Sequence, residues 1–576
     1  MNPNFSTSAV ALSIVIALCA CGGTQASING GGPDAGPDIS VTASPKTALV
    51  QTGLTATFTA TVVNSNDSAV SWTVAEGAAG GTVSSSGVYT APATAGTYHV
   101  VASAHADETK KDGATVTVAA PGVTLVPTTA LVVTDTTKTF AASVIGIGGA
   151  VTWTMQDTNG GSIDANGKYT PPSTPGTYHF VATSVNDSSK TAIGVATVVS
   201  PGSWINVTPP GVRLNGDYVF SGGQDFNYGA QEVVADLNNP GTFLVQVTYQ
   251  GVWRSQDYGA TWTRLGDGNG PMDNGRAALS IAPDGSYILA TLLYPLNGFS
   301  NGAWKSLSPN NGGGTADLGA QSNWRRISIP GVPDDDMGVF HIDPADKTHV
   351  IGQPHTVTGS FYESNDSGET WVAHAMPPNS GSNNNCGACI AKLNLINSTT
   401  LVATYDFGAS ANSVNINPQL GKKSGSNWSW SVVSAKNEAG ASTSGQQTFH
   451  GSQQVFVDTV NSAIYLGGSE GVHRSADGGA TWTRLATPQN YSESIVATPN
   501  NIYSASAFAG TDGFQNDFQH APRASADHGS AWVSGTTPAS MTNGWLGAAV
   551  AQDTNSSKWV IVAGCWDAGI FIYVEP

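Results

Sequence analysis

The chain has 576 residues with 22 basic and 40 acidic side chains, a net charge of −18, and only 11% charged residues. That length exceeds one domain, and without clustered Lys and Arg to grip phosphates no nucleic-acid partner is expected. The 68 glycines, with abundant Ser, Thr, Asn and Val, point to short strands joined by many turns rather than to long helices. Acidity of this degree suits a soluble exported protein. It leaves room for calcium sites, and no cofactor is expected.

Residues 9–20 form an apolar run of signal-peptide length, too short to span a bilayer as a mature helix. It ends in Leu18-Cys19-Ala20-Cys21-Gly22. This resembles a bacterial lipobox: an aliphatic residue, two tolerant positions of which the second is small, then the Cys that is lipidated. The resemblance implies lipidation of Cys21 and a place at the bacterial outer membrane or cell surface. An ordinary secretory signal, giving a secreted protein, is the alternative. No Lys or Arg precedes the run, a departure from the usual charged start. Residues 22–38, rich in Gly, Pro, Ser and Asp, read as a flexible tether. Membrane contact through the lipid alone and a monomeric chain are expected.

A unit of roughly 80 residues then occurs twice. Val70-Ser-Trp72, Gly87-Val-Tyr89 and Gly96-Thr-Tyr98-His reappear as Val151-Thr-Trp153, Gly167-Lys-Tyr169 and Gly176-Thr-Tyr178-His. The period suits a β-sandwich of about seven strands, and the alternation in residues 55–62 predicts one buried face. Trp72 and Trp153 are expected to plug the two cores. These units, 39–119 and 120–200, resemble bacterial immunoglobulin-like domains. The resemblance implies a spacer or an adhesive, glycan-binding module.

From residue 201 a different repeat takes over. Ser255-x-Asp257-x-Gly259-x-Thr261-Trp262 returns at Ser364–Trp371 and Ser475–Trp482, and at Ser525–Trp532 with Ala531 in place of Thr. It is similar to the Asp-box of sialidase-like propellers. In that motif Asp and Ser bond the turn's own N–H groups, Gly takes positive φ, and Trp begins the next strand. Asp257, Asp366, Asp477 and Asp527 are therefore expected to hold turns on the face away from any site. Weaker copies lead to Trp324 and Trp428. Outer strands are thus expected near Trp262, Trp324, Trp371, Trp428, Trp482 and Trp532, a spacing that suits four-stranded blades. Three strands close the chain, starting at Trp545, Trp559 and Gly569, and Trp204–Val207 can supply their fourth. The expected fold is all-β: two immunoglobulin-like sandwiches followed by a seven-bladed propeller over 201–576, its ring closed by both ends.

In such a ring, the loops entering strand one and those joining strands two and three share one face. The first set carries Asp225, Tyr228, Asp273, Arg276, Asp335, Asp336, Cys386, Cys389, His450, Tyr491 and Asn543. The second carries Tyr249, His355, Tyr405, Asp406, Glu470, Asp512, Trp566 and Asp567. Asp406, Glu470, Asp512, His450, Tyr405 and Arg276 are the catalytic candidates. Asp225, Tyr228, Tyr249, His355, Tyr491 and Trp566 are the candidates for substrate binding. Paired carboxylates serve glycoside hydrolysis, a Tyr or His beside an Arg can abstract a proton next to a uronate, and aromatic rings offer flat faces to sugars. Ordinary loop polarity is the competing explanation. The longest such loop is expected from Tyr503 to Arg523, with Asp512, Asp517, Phe518 and His520. Cys386-Gly-Ala-Cys389 reads as a local disulfide, with no metal site expected. Cys565 is read as a free thiol or as a partner to one of that pair.

Residues 227–242, with Gln250–Ser255 and Gly467–Ser475, resemble the first blade of xyloglucanase-type endoglucanase propellers. Those enzymes pair two propellers, and their catalytic Asp stands shortly before the first box. Here that stretch is Val247-Thr-Tyr-Gln-Gly251, with no carboxylate. The arginines of true sialidases are also missing. The expected function is a surface-anchored propeller that binds or cleaves an extracellular polysaccharide, as a glycoside hydrolase or a polysaccharide lyase. The alternative is a non-catalytic carbohydrate-binding or adhesion module.

Overall fold

Strands rich in Val, Ile and Thr alternate with Gly, Asn and Asp turns throughout the computed structural model. It describes residues 39–214, 229–265, 270–293, 295, 300–306, 323–355, 359–377, 390–406, 419–433, 435–437, 447–448, 455–468, 471–486, 494–505, 518–523, 531–541, 545–565 and 568–576. Among these, strands and short 3₁₀ turns are the only regular elements, and no helix is long and apolar enough to cross a membrane. The chain falls into two compact units, Met1–Pro121 and Gly122–Pro576.

The first unit is a small sandwich. Its four-stranded sheet runs Thr47–Gln51, Asp107–Ala119, Gly96–Ala104, Val70–Val74, with the first pair parallel. The same order returns in the second unit as Thr129–Val133, Thr191–Val199, Gly176–Ser184, Val151–Met155. The cores differ from the sequence expectation. Phe58, Tyr89 and Val100 fill the first and Phe140, Tyr169 and Phe180 the second, all at most 1% exposed. Trp72 and Trp153 sit half-buried at the rims. A reason is local: the phenols of Tyr89 and Tyr169 donate to the carbonyls of Gly80 and Gly160 (2.6 and 2.7 Å), so these rings can be fully buried with their polar tips satisfied.

The rest of the second unit is a ring of seven sheets among the described residues, antiparallel except where Gln447–Thr448 and Ala435–Asn437 add parallel fifth strands to blades 4 and 5. Blade 1 runs outward through Ala230–Ala235, Phe243–Val247, Gly251–Ser255 and Thr263–Arg264. The innermost strands of blades 2 to 7 are Leu279–Ile281, Met337–Asp343, Ile390–Asn397, Val455–Asp458, Ser494–Ala497 and Trp545–Gln552. The fourth strand of blade 7 is Trp204–Asn206, paired antiparallel with Gly569–Val574. Both ends of the propeller thus share one sheet, which leaves no blade with a missing strand to invite pairing by another chain.

The second sandwich is seated on this ring. Leu131, Val133 and Val199 are at most 2% exposed and share one apolar cluster with Ala260, Val562, Ile572 and Val574 of blades 1 and 7. The Asn555 amide donates to the Thr137 carbonyl at the same junction (3.2 Å).

The Ser-x-Asp-x-Gly-x-Thr-Trp turns join strands three and four. Gly259 N–H and Asp257 Oδ1 both meet Ser255 Oγ (2.8 Å each), and Thr261 donates through N and Oγ1 to Asp257 (2.9 and 2.7 Å). The turns around Asp366 and Asp477 repeat this pattern. Gly259, Gly368 and Gly479 take φ of 85°, 83° and 92°, a region that favours glycine. These carboxylates are committed to their own turns. Burial raises the Asp366 carboxyl, but hydrogen bonds from Thr370 and Ser364 outweigh it and bring it down to about 2. Asp527 lies outside the described residues.

Candidate functional site

Residues from all seven innermost strands enclose one cavity of about 540 Å³. Its position follows from alternation. On blade 2, Ala277 and Leu279 pack against blade 1 (1% and 4% exposed), which puts Arg276, Ala278 and Ser280 on the opposite face, where the Ser280 hydroxyl donates to the Phe340 carbonyl of blade 3 (2.6 Å). The polar side chains lining it are Glu232, Arg276, Ser280, His341, His355 and Asn394, with Gln353 and Thr291 beside them. All come from blades 1 to 4. Blades 5 to 7 contribute apolar side chains alone among the described residues, including Val455, Val496, Ala497, Ala549 and Val550. The channel therefore has a polar wall and an apolar wall.

His355 is the best-positioned titratable group. It follows strand two of blade 3, and its backbone N–H donates to the Asp336 carbonyl (2.9 Å). Its Nδ1 lies 3.6 Å from Asp336 Oδ1, with both side chains 10% exposed. Asp336 also accepts from the Asn301 amide of blade 2 (3.1 Å), which fixes the carboxylate. Gly338 permits this approach: a Cβ there would stand 3.3 Å from His355 Cα. Arg276, on the neighbouring blade, is held by paired backbone bonds with Leu293 (3.0 and 2.8 Å).

Arg276 and His355 are thus brought to one cavity. Tyr249 is not: it is 5% exposed in the turn before strand three of blade 1, with φ of 58°, and it does not line the channel. Asp273 is buried beneath that turn in an ion pair with Arg264, and Asp335 pairs with Arg326 (3.3 Å). Both therefore brace blades. Tyr405 and Asp406 end strand two of blade 4, their backbones paired with Gln447 and Thr448. Asp225, Tyr228, His450, Glu470, Tyr491, Asp512, Trp566, Cys386, Cys389, Asn543, Asp567 and Cys21 lie outside the described residues.

One expectation is corrected. The segment from Tyr503 to Arg523 is not a single loop, because strands Asn501–Ala505 and Gln519–Pro522 occupy both ends. Tyr503 and Phe518 stack face to face (6.0 Å, 2°) inside the core, and His520 packs beside them at 5.7 Å from Tyr503. What remains between the strands, 506–517, lies outside the described residues.

A second titratable cluster lies away from the channel. Glu363, 2% exposed, meets His349 Nε2 (2.7 Å), His374 Nε2 (3.0 Å) and Lys423 Nζ (2.7 Å). Burial raises its carboxyl, yet the bonds from His349 and Lys423 prevail and bring it down to about 2. Burial also pushes His374 down. Lys423 comes from blade 4 and the others from blade 3, so the cluster is an inter-blade tie. Cys565 is a free, fully buried thiol, and burial pushes it well above the ordinary thiol range. Among the described residues no group of three or more His, Cys, Asp and Glu is placed to hold a metal ion.

No family model matches the chain, and no curated protein matches it. Solved structures similar to it include an ancestral GH74 enzyme, at 14% identity over 64% of this chain, with a TM-score of 0.31. This chain spans 40% of that enzyme's length. YCF48 from Cyanidioschyzon merolae is similar at 12% identity, over 65% of this chain and 99% of its own, with a TM-score of 0.37. The GH74 xyloglucanase from Xanthomonas campestris is similar at 13% identity, over 68% of each chain, with a TM-score of 0.27. Likenesses this distant assign no activity, and the channel residues of this chain carry the functional reading.

Sequence reasoning looked for the site in loops and missed Glu232, His341, Gln353 and Asn394. The available signal was a polar residue on a channel-facing position of an otherwise apolar innermost strand, as in Glu232-Val-Val-Ala and Val339-Phe-His341-Ile.

Proposed function

We propose that the propeller binds an extracellular polysaccharide at its channel and cleaves it by general acid–base chemistry. The observation that carries this reading is the convergence of Glu232, Arg276, His341 and His355 on one cavity of about 540 Å³, a size typical of ligand sites. The backbone N–H of His355 is anchored on the Asp336 carbonyl (2.9 Å), and the Asp336 carboxylate stands 3.6 Å from the imidazole Nδ1, which favours a positive charge there. In a hydrolysis, His355 takes a proton from water, the water oxygen bonds to the anomeric carbon, and Glu232 protonates the departing oxygen. In an elimination, His355 takes the proton beside a uronate carboxylate that Arg276 holds, and the departing oxygen again leaves protonated. The apolar wall of blades 5 to 7 favours a second reading, a binding module without chemistry.

The same proposal covers the rest of the chain. Cys21 carries a lipid that anchors the protein at the cell surface. The divisions 39–119, 120–200 and 201–576 are two immunoglobulin-like modules and an Asp-box propeller. The chain acts as a monomer and without a cofactor.

The test is a polysaccharide panel read for new reducing ends and for unsaturated uronate absorbance, with the chain from residue 22 onward. Hydrolysis gives the first signal alone and elimination gives both. Either should fall at least about 100-fold in His355→Ala and Glu232→Gln with unchanged melting. Retention in affinity gels without either signal would leave binding alone and sink the cleavage reading.

A further inference from the structure

Seven innermost strands wall the cavity on every side, and this constrains what can enter it. The interior of a long polymer can lie across the mouth of such a channel. It cannot descend between the walls, because both flanking lengths of chain would have to pass through the surrounding strands. Only a terminus, or the tip of a side branch, can be lowered in. We infer that the channel takes the end of a glycan chain, an inference that rests on the polysaccharide reading proposed above.

The two walls fit that occupant. A sugar ring has an edge of hydroxyls and a face of C–H groups. Blades 1 to 4 present a carboxylate, a guanidinium, two imidazoles and an amide, from Glu232, Arg276, His341, His355 and Asn394. These groups can donate to and accept from hydroxyls in several directions. Blades 5 to 7 present the partly exposed Val455, Ala497, Ala549 and Val550, against which a C–H face can lie. The small side chains Ala278, Ala497 and Ala549 are among the channel's lining, and its volume of about 540 Å³ leaves room for a ring. Arg276 and His355, at the start of strand one and the end of strand two, stand at the entrance; Ser280 and His341 lie further along their strands. A terminal sugar therefore meets polar partners along its depth, and the next linkage lies at the level of His355.

The experiment counts ends. Amylose, xyloglucan and polygalacturonate are each offered intact and cut to about one tenth of their length, at equal mass, and binding is followed by calorimetry or gel retention. End recognition predicts that apparent affinity per unit mass rises about tenfold on cutting. It also predicts that cyclic 1,4-glucans, which have no ends, bind at least about tenfold more weakly than linear ones of the same size. Ala278→Phe, which narrows the channel, should abolish binding of the short chains while melting as the parent does. Affinity per mass that stays level or falls on cutting, or cyclic glucans that bind as well as linear ones, would overturn end recognition and leave the polysaccharide reading standing. No retention of any probe, whole or cut, would overturn both.

Discussion

Removing the side chain of Trp204 should loosen the entire ring, although it lies at one end of the propeller's sequence. Trp204 is 5% exposed, and its ring meets those of Phe518, Trp545 and Tyr573, each at 5.2 Å. Truncating a buried aromatic to Ala costs about 3–5 kcal/mol. Its indole Nε1 has no hydrogen-bond partner among the described residues, so packing supplies this loss. The ring spans about 370 residues, whose melting entropy is about 0.8 kcal/mol/K, so the midpoint should fall by about 4–6 °C. Against a typical total of about 5–15 kcal/mol, this is a large share. Calorimetry on residues 201–576, with and without Trp204→Ala, reads the shift directly. Removing 201–207 should cost more, since strand Trp204–Asn206 closes blade 7. A midpoint that moves by less than about 1 °C in both would refute ring closure by this strand.

Glu363→Gln should destabilise the propeller by about 3 kcal/mol at pH 7, since it breaks a buried cluster centred on a carboxylate held at about 2. The sign follows from a lowered pKa. The contribution is full above the unfolded value of about 4.5 and fades as pH falls towards 2. Melting from pH 7 to pH 3 should therefore drop further in the parent than in the variant; parallel curves would contradict this. Gly251→Ala should cost at least about 2 kcal/mol, because the residue has φ of +85° and a Cβ would collide with Asp273 Oδ1, displacing it from Arg264. Denaturant midpoints check it, and a neutral outcome would mean the turn before strand three is free to change. Leu131→Ala should cost about 2–5 kcal/mol and expose residues 200–203 to protease, since Leu131 is buried between the second sandwich and blades 1 and 7. Unchanged cleavage would mean the junction is held elsewhere.

The ring was legible because its construction repeats. Each fourth strand starts at or beside a Trp, and the turns before Trp262, Trp371 and Trp482 carry Ser, Asp, Gly and Thr at fixed spacing, as their bonding pattern requires. The orphan strand at Trp204 and the three strands from Trp545 to Val574 completed the count. The channel was harder to read. Its polar residues occur singly within apolar strands, so composition hides them, and only the face on which each lies gives them meaning. Glu232 and His341 become visible once the core side of their strands is known from Val233 and Phe340. Local packing misled elsewhere. Trp72 and Trp153 are the largest side chains of their sandwiches, yet Tyr89 and Tyr169 can be sealed with a satisfied hydroxyl and take the centres. Phe518 and His520 read as loop residues, although Phe518 is buried against Tyr503 and His520 lies on the strand Gln519–Pro522.

The central claim is that the polar wall of the channel engages a glycan. A crystal structure of the propeller soaked with an oligosaccharide that it retains tests this most directly. The account predicts sugar density inside the ring, within hydrogen-bond distance of Arg276 and His355 and with its C–H face on blades 5 to 7. Density confined to the face of the Ser-x-Asp turns or to the sandwiches, with the channel unchanged, would contradict it.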